Sequence, residues 1–73
     1  MSNIKYEIKE RLGILSESPK GWRKEFNLVS WNDRDAKYDL RTWDKTYEKV
    51  GRGITLSEDE VIKLRDILNS LEI

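Results

Sequence analysis

The first part of the chain alternates between apolar and charged side chains. From Ile4 to Ile14 the even positions are mostly apolar and the odd positions mostly charged. A period of two predicts a strand with one buried face. Gly13 within this strand predicts a bulge or a sharp bend. Residues 16–21 contain proline and glycine and are predicted to form the connecting loop.

Two more alternating segments follow, at residues 22–31 and 37–43, with a polar connection at residues 32–35. They predict a pair of antiparallel strands. Phe26, Leu28 and Ser30 share one parity and are predicted to face the core. The opposite parity is predicted to form the less buried face, and it carries Trp31, Lys37, Arg41 and Trp43.

The last part of the chain predicts a short strand and then a helix. Ile54 to Leu56 form the apolar strand, and Ser57 with Glu60 three residues later is a capping box that begins the helix. One helix face gathers the aliphatic residues Val61, Leu64, Ile67, Leu68 and Leu71. Ile62 points away from this stripe. The predicted fold is α+β, with four antiparallel strands followed by a C-terminal helix in a single domain over residues 1–73.

The composition argues against an enzyme. The chain has no cysteine and no histidine, so it lacks thiolate zinc ligands, the commonest metal ligand and the commonest general base. We expect no metal, no cofactor and no catalytic residues. Asp33 and Asp35 could hold a magnesium ion, but a polar turn explains this pair better.

Charge and hydropathy narrow the possible partners. No apolar run is long enough for a membrane span or a signal peptide, which predicts a cytoplasmic protein. The net charge is zero, which argues against a simple polycation. The charge is uneven, however, because residues 57–73 carry −3 and residues 1–56 carry +3. We interpret this as a mildly basic sheet backed by an acidic helix.

Tryptophans lie among basic residues along the predicted sheet. Flat aromatic rings that stack on bases and cations that contact phosphates are what a binder of unpaired strands requires. Tryptophans also fill the cores of small domains, and for Trp22 that interpretation is favoured. For Trp31 and Trp43 we favour base stacking, because apolar residues already fill the opposite parity of each strand.

The chain resembles a known family in two motifs. Tyr38-Asp39-Leu40-Arg41-Thr42-Trp43, followed after a loop by Gly51-Arg52-Gly53-Ile54-Thr55-Leu56, is similar to the core of the eukaryotic coactivator positive cofactor 4. The whole chain resembles the short bacterial YdbC-type branch of that family. The turn has one basic residue, Arg52, where the coactivator has two.

The resemblance implies a homodimer of curved sheets that binds single-stranded DNA in grooves. It matches Lys24, Trp31, Arg41, Trp43 and Arg52 to binding positions of the family. We therefore expect base contacts from Trp31 and Trp43, and phosphate contacts from Lys24, Arg41, Arg52 and also Lys37, which shares the parity of the tryptophans. It also implies that helices and final strands build the dimer, for which we expect contacts from Ile62, Leu64, Leu68 and Leu71. A chain this short buries only about 60% of its unfolded surface, which also favours a partner subunit.

The sequence therefore predicts sequence-tolerant binding of single-stranded DNA by a cytoplasmic, nucleoid-associated homodimer, with RNA as an alternative ligand. The accessory role would lie in transcription, replication or repair. The alternative is a protein interaction module, because a neutral, tryptophan-bearing concave sheet could equally bind a peptide.

Overall fold

The computed structural model describes residues 5–73, which form one four-stranded sheet and one helix. The elements are β1 (Tyr6–Glu17), β2 (Arg23–Trp31), β3 (Lys37–Trp43), β4 (Val50–Leu56) and α1 (Glu58–Asn69). Neighbouring strands are antiparallel and lie in the order β1-β2-β3-β4. This confirms the predicted α+β fold. Ile4 of the predicted first strand lies outside the described residues.

Strand β1 is longer and less regular than the alternation predicts. It continues through Ser16 and Glu17, which we expected in the loop. Its pairing with β2 shifts register three times, and one shift lies between Arg11 and Gly13, where the glycine predicts a bulge. Each bulge places an extra residue on one strand and bends it. The side-chain parity of β1 therefore changes along its length.

The prediction of which sheet face forms the core of the single chain was wrong. Of the three residues predicted to face the core, Ser30 is buried but Phe26 and Leu28 are only half-buried, whereas the opposite parity holds the other buried side chains. These are Glu25, Asn27, Val29, Asp39 and Trp43. The reason is local packing: aromatic rings from the strands and from the β3–β4 loop cover that side of the sheet. We call it the aromatic face.

The other side of the sheet, which we call the helix face, carries Phe26, Leu28, Tyr38 and Leu40. The rings of Phe26 and Tyr38 stack there with centroids 5.7 Å apart. Helix α1 begins with the predicted capping box, in which Ser57 and Glu60 satisfy each other's backbone amides. No residue of α1 is buried, and an open groove of about 560 Å³ separates it from Phe26 and Leu40.

Strand β4 approaches β3 closely because of its glycines. A side-chain carbon at Gly53 would collide with the Leu40 carbonyl oxygen and lie 2.7 Å from the Arg41 Cα. One at Gly51 would collide with the Thr42 hydroxyl. The two glycines therefore allow this close pairing, and the segment of residues 51–53, which the sequence predicts as a turn before the strand, belongs to β4 itself.

No helix within residues 5–73 is long and apolar enough to cross a membrane.

Trp43→Ala should lower the free energy of unfolding by about 3 to 5 kcal/mol, because this side chain is 0% exposed and its loss opens a cavity. Urea unfolding at fixed protein concentration measures the change. Trp22→Ala is the matched control, since Trp22 precedes β2 and is half-buried. A loss for Trp43→Ala no larger than that for Trp22→Ala would contradict the assignment of Trp43 to the core.

Candidate nucleic-acid interface

Four aromatic rings pack together on the aromatic face. The indoles of Trp31 and Trp43 are nearly parallel, with centroids 6.2 Å apart. Tyr6 packs against both, at 5.8 Å and 5.2 Å, and Tyr47 from the β3–β4 loop lies 5.8 Å from Trp43. The Tyr6 hydroxyl donates to the Tyr47 carbonyl oxygen. Trp43 is thereby enclosed, whereas Trp31 at the end of β2 stays half-buried.

A buried ion pair supports this cluster. Asp39 is 0% exposed and accepts two hydrogen bonds from Arg41, of 2.9 Å and 3.0 Å. The Thr55 hydroxyl donates a third. The Arg41 side chain, 16% exposed, also donates to the Gly51 carbonyl and lies 4.8 Å from the centre of the Trp31 ring. Arg41 therefore holds β4 to β3 and supports one side of Trp31.

A second buried carboxylate, Glu25, has a different set of donors. Asn27 Nδ2 donates to Oε1 at 3.0 Å, and the Tyr47 hydroxyl donates to Oε2 at 2.6 Å. The Arg23 guanidinium lies 3.6 Å from Oε2. Burying a carboxylate costs several kcal/mol unless such partners replace water. Glu25 thus fixes Tyr47 over the sheet.

The loop at residues 44–49 is ordered by Asp44. Its carboxylate accepts a hydrogen bond from the Lys49 backbone and another from the Thr46 hydroxyl. The bond from Lys49, followed by that from Thr46, lowers the pKa of Asp44. The turn leaves Tyr47 in the left-handed region with φ of 62°, which is unfavourable for a bulky residue. Burial of Tyr47, followed by its bond to Glu25, raises its pKa above 10.0.

The structure divides the predicted contact residues between two sides of the sheet. Trp31, Arg41, Trp43 and the exposed Lys37 share the aromatic face, as their parity predicts. Lys24 pairs with Thr42 on the helix face, where the exposed Arg52 lines the same shallow hollow. The expectation that Trp43 is less buried was wrong, because Tyr6, Trp31 and Tyr47 enclose it.

The sequence prediction missed three residues of the aromatic face. The Arg11 guanidinium lies 4.3 Å from the centre of the Tyr47 ring, and the Arg23 guanidinium lies 5.4 Å from it. Arg11 lies at one of the alternating charged positions of β1. Because the bulges shift the register of β1, this alternation does not predict which face of the sheet Arg11 occupies. Tyr47 lies outside any strand, so no periodicity could place it.

Within residues 5–73, no three acidic side chains come together as a metal-binding group. Asp33 instead lies 3.6 Å from Lys5 in an exposed ion pair.

A known family and a bacterial relative each match most of the chain. The family model of the transcriptional coactivator p15 (PC4) matches residues 18–67. An uncharacterised protein of Treponema pallidum (strain Nichols) is 44% identical over 68 residues, which cover 93% of this chain and 80% of the relative. The family match includes β2, β3, β4 and most of α1.

The raised pKa of Tyr47 predicts how stability depends on alkaline pH. The protonated phenol stabilises the fold fully below about pH 10, and this contribution is lost as the pH rises through the higher pKa of the folded state. The wild type should therefore exceed Tyr47→Phe in Tm near neutral pH, and the difference should shrink above about pH 10. Tyr38→Phe, on the helix face, is the control. A difference independent of pH would contradict the bond to Glu25.

Proposed function

This chain belongs to the transcriptional coactivator p15 (PC4) family, and we propose that it binds single-stranded DNA as a homodimer. The family binds single-stranded DNA, which favours this function over the peptide-binding alternative. The observation that carries the proposal is the half-buried Trp31, whose ring is held by the nearly parallel Trp43 indole, with centroids 6.2 Å apart, and by the Arg41 guanidinium, 4.8 Å from its centre.

Trp31 is the proposed stacking residue. A ring fixed by its neighbours loses little conformational freedom when a base stacks on it, and stacking tolerates any base. Trp43 is 0% exposed and offers no free ring surface to a base. Its proposed role is to hold the Trp31 ring in place through the nearly parallel packing of the two indoles.

Lys37 is the proposed phosphate contact beside Trp31. It is exposed and pairs across the strands with Val29, two residues before Trp31 on the same face. Arg41 is a positioning residue, because three of its N–H donors are occupied by Asp39 and Gly51. Lys24 and Arg52 lie on the helix face. Their proposed phosphate contacts therefore require a DNA strand that passes around the edge of the sheet formed by β4.

The proposed homodimer explains the open groove between α1 and the sheet. Ile67, Leu68 and Leu71 are between 48% and 58% exposed, and Ile62 on the other side of the helix is 39% exposed. Leu64, half-buried, lines the groove with Leu68. Burying this much apolar surface against a second copy would stabilise both chains.

We place the binding in an accessory role in transcription, replication or repair, in the cytoplasm and at the nucleoid. RNA remains a second possible ligand, because aromatic stacking does not distinguish the two sugars.

Trp31→Ala should weaken the binding of single-stranded DNA by about 1 to 3 kcal/mol, the range for one stacked base. A fluorescence-anisotropy titration with a labelled thymidine oligomer measures this. Trp22→Ala is the matched control and should bind nearly as the wild type does. A Trp31→Ala protein that is folded and binds normally would contradict the stacking role.

Two further measurements separate the proposal from peptide binding. The logarithm of the affinity should fall linearly with the logarithm of salt concentration, with a slope of about 0.7 for each phosphate contact. Duplex DNA should bind weakly, because its bases are not free to stack. Affinity that is independent of salt, or equal for duplex and single strands, would contradict the proposal.

Sedimentation equilibrium at micromolar concentration should give twice the chain mass of 8.7 kDa. Leu68→Glu places a charge in the apolar groove and should shift the protein toward monomer. Lys63→Glu, which introduces the same side chain outside the groove, should stay dimeric. A monomeric wild type would contradict the homodimer.

A further inference from the structure

Asn27 carries a buried acceptor that no group of the described residues 5–73 uses. Its side chain is 0% exposed, and Nδ2 donates to Glu25. Because the carboxylate can only accept, this bond fixes the amide orientation and turns Oδ1 away from Glu25. Oδ1 receives no hydrogen bond from residues 5–73. An unpaired buried acceptor costs about 1 to 3 kcal/mol, so its presence points to a ligand.

Tyr47 occupies the place where such a ligand would meet Asn27 and Glu25. The Arg11 guanidinium lies 4.3 Å from the centre of its ring, the Trp43 ring centroid lies 5.8 Å from it, and its hydroxyl donates to Glu25. A flat ring with a cation over one face and a donor directed at a carboxylate resembles a bound nucleobase. The side chain that fills this place comes from a loop.

The surroundings allow exchange of that ring. A hollow of about 340 Å³ adjoins Tyr47 and is lined by Arg11, Arg23, Glu25 and Asn27. The left-handed backbone at Tyr47 is unfavourable, so moving the loop relieves strain. The flanking residues Thr46 and Glu48 are exposed. A base can therefore take the place of the phenol without rearrangement of the sheet.

We propose that this hollow is a nucleobase pocket that prefers guanine. The inference rests on the proposed function, and it makes one position along the bound strand selective. Once the Tyr47 hydroxyl leaves, Glu25 Oε2 and Asn27 Oδ1 are two acceptors of residues that line the same hollow, and guanine presents two donors, N1–H and the 2-amino group. Guanine also presents the acceptors O6 and N7, which arginine binds in bidentate fashion, and Arg23 borders the pocket. Adenine, cytosine and thymine lack this combination.

The wild-type protein and a series of oligomers test the pocket without any change to the fold. Thymidine oligomers of one length carry a single central guanine, hypoxanthine, 7-deazaguanine, adenine or cytosine, which also avoids guanine quadruplexes. The guanine oligomer should bind about tenfold more tightly than the all-thymidine oligomer. Hypoxanthine, which lacks the 2-amino donor, and 7-deazaguanine, which lacks N7, should each lose a few-fold.

The outcomes distinguish the two proposals. Equal affinity for all oligomers would overturn the guanine pocket and leave single-strand binding intact. Equal affinity for guanine and hypoxanthine would also overturn it, because the 2-amino group is the proposed partner of Asn27. Failure to bind any oligomer would overturn the proposed function and the pocket together.

Tyr47→Phe tests the exchange itself. It removes the bond to Glu25 that competes with the base, so affinity for the guanine oligomer should rise about threefold to tenfold. The ratio of the affinities for the guanine and the all-thymidine oligomers should rise with it. Tyr38→Phe, on the helix face, is the control and should change neither affinity. Weaker binding of the guanine oligomer by Tyr47→Phe would overturn the exchange.

Discussion

The pairing of two buried carboxylates with donors from neighbouring segments is the constraint on which the aromatic face depends. Asp39 requires Arg41, and Arg41 then connects β3 to β4 and supports Trp31. Glu25 requires Tyr47, which then covers Trp43. Either carboxylate without its donors would be a buried, unpaired charge, which is strongly destabilising. The electrostatic requirement therefore fixes the positions of the rings.

The small size of the chain explains why the two faces of its sheet are covered to different extents. A sheet of four strands and one helix can cover only one side well. Here the loop after β3 covers the aromatic face, and the helix leaves the apolar side chains of the helix face partly open to solvent. The face that is complete within one chain is polar and aromatic, whereas the incomplete one is apolar. The apolar side is therefore the one that a second chain could complete, as the proposed homodimer requires.

The sequence was sufficient for the order and type of the elements but not for their faces. The capping box at Ser57 and the alternation in β2 and β3 are local signals, and the structure confirms the elements they predict. Parity distinguishes two faces but not which of them is buried, since buried carboxylates look like solvent-exposed ones until their partners are known. Periodicity could not predict the position of Tyr47, because this residue lies in a loop. It is held over β2 by its hydrogen bond to Glu25, which is 22 residues away in the sequence.

The internal ion pairs also limit how the protein can attract a polyanion. Arg23 and Arg41 lie within 4 Å of the carboxylates of Glu25 and Asp39. Arg11 and Lys37 pair with no carboxylate of residues 5–73, so they are the cations of the aromatic face left for phosphates. Under the proposed function, phosphate contacts from these two cations of the aromatic face would supply little counterion release. Ring stacking would then contribute much of the affinity of the proposed complex, and the second chain of the proposed dimer would raise that affinity by holding both sites on one DNA strand.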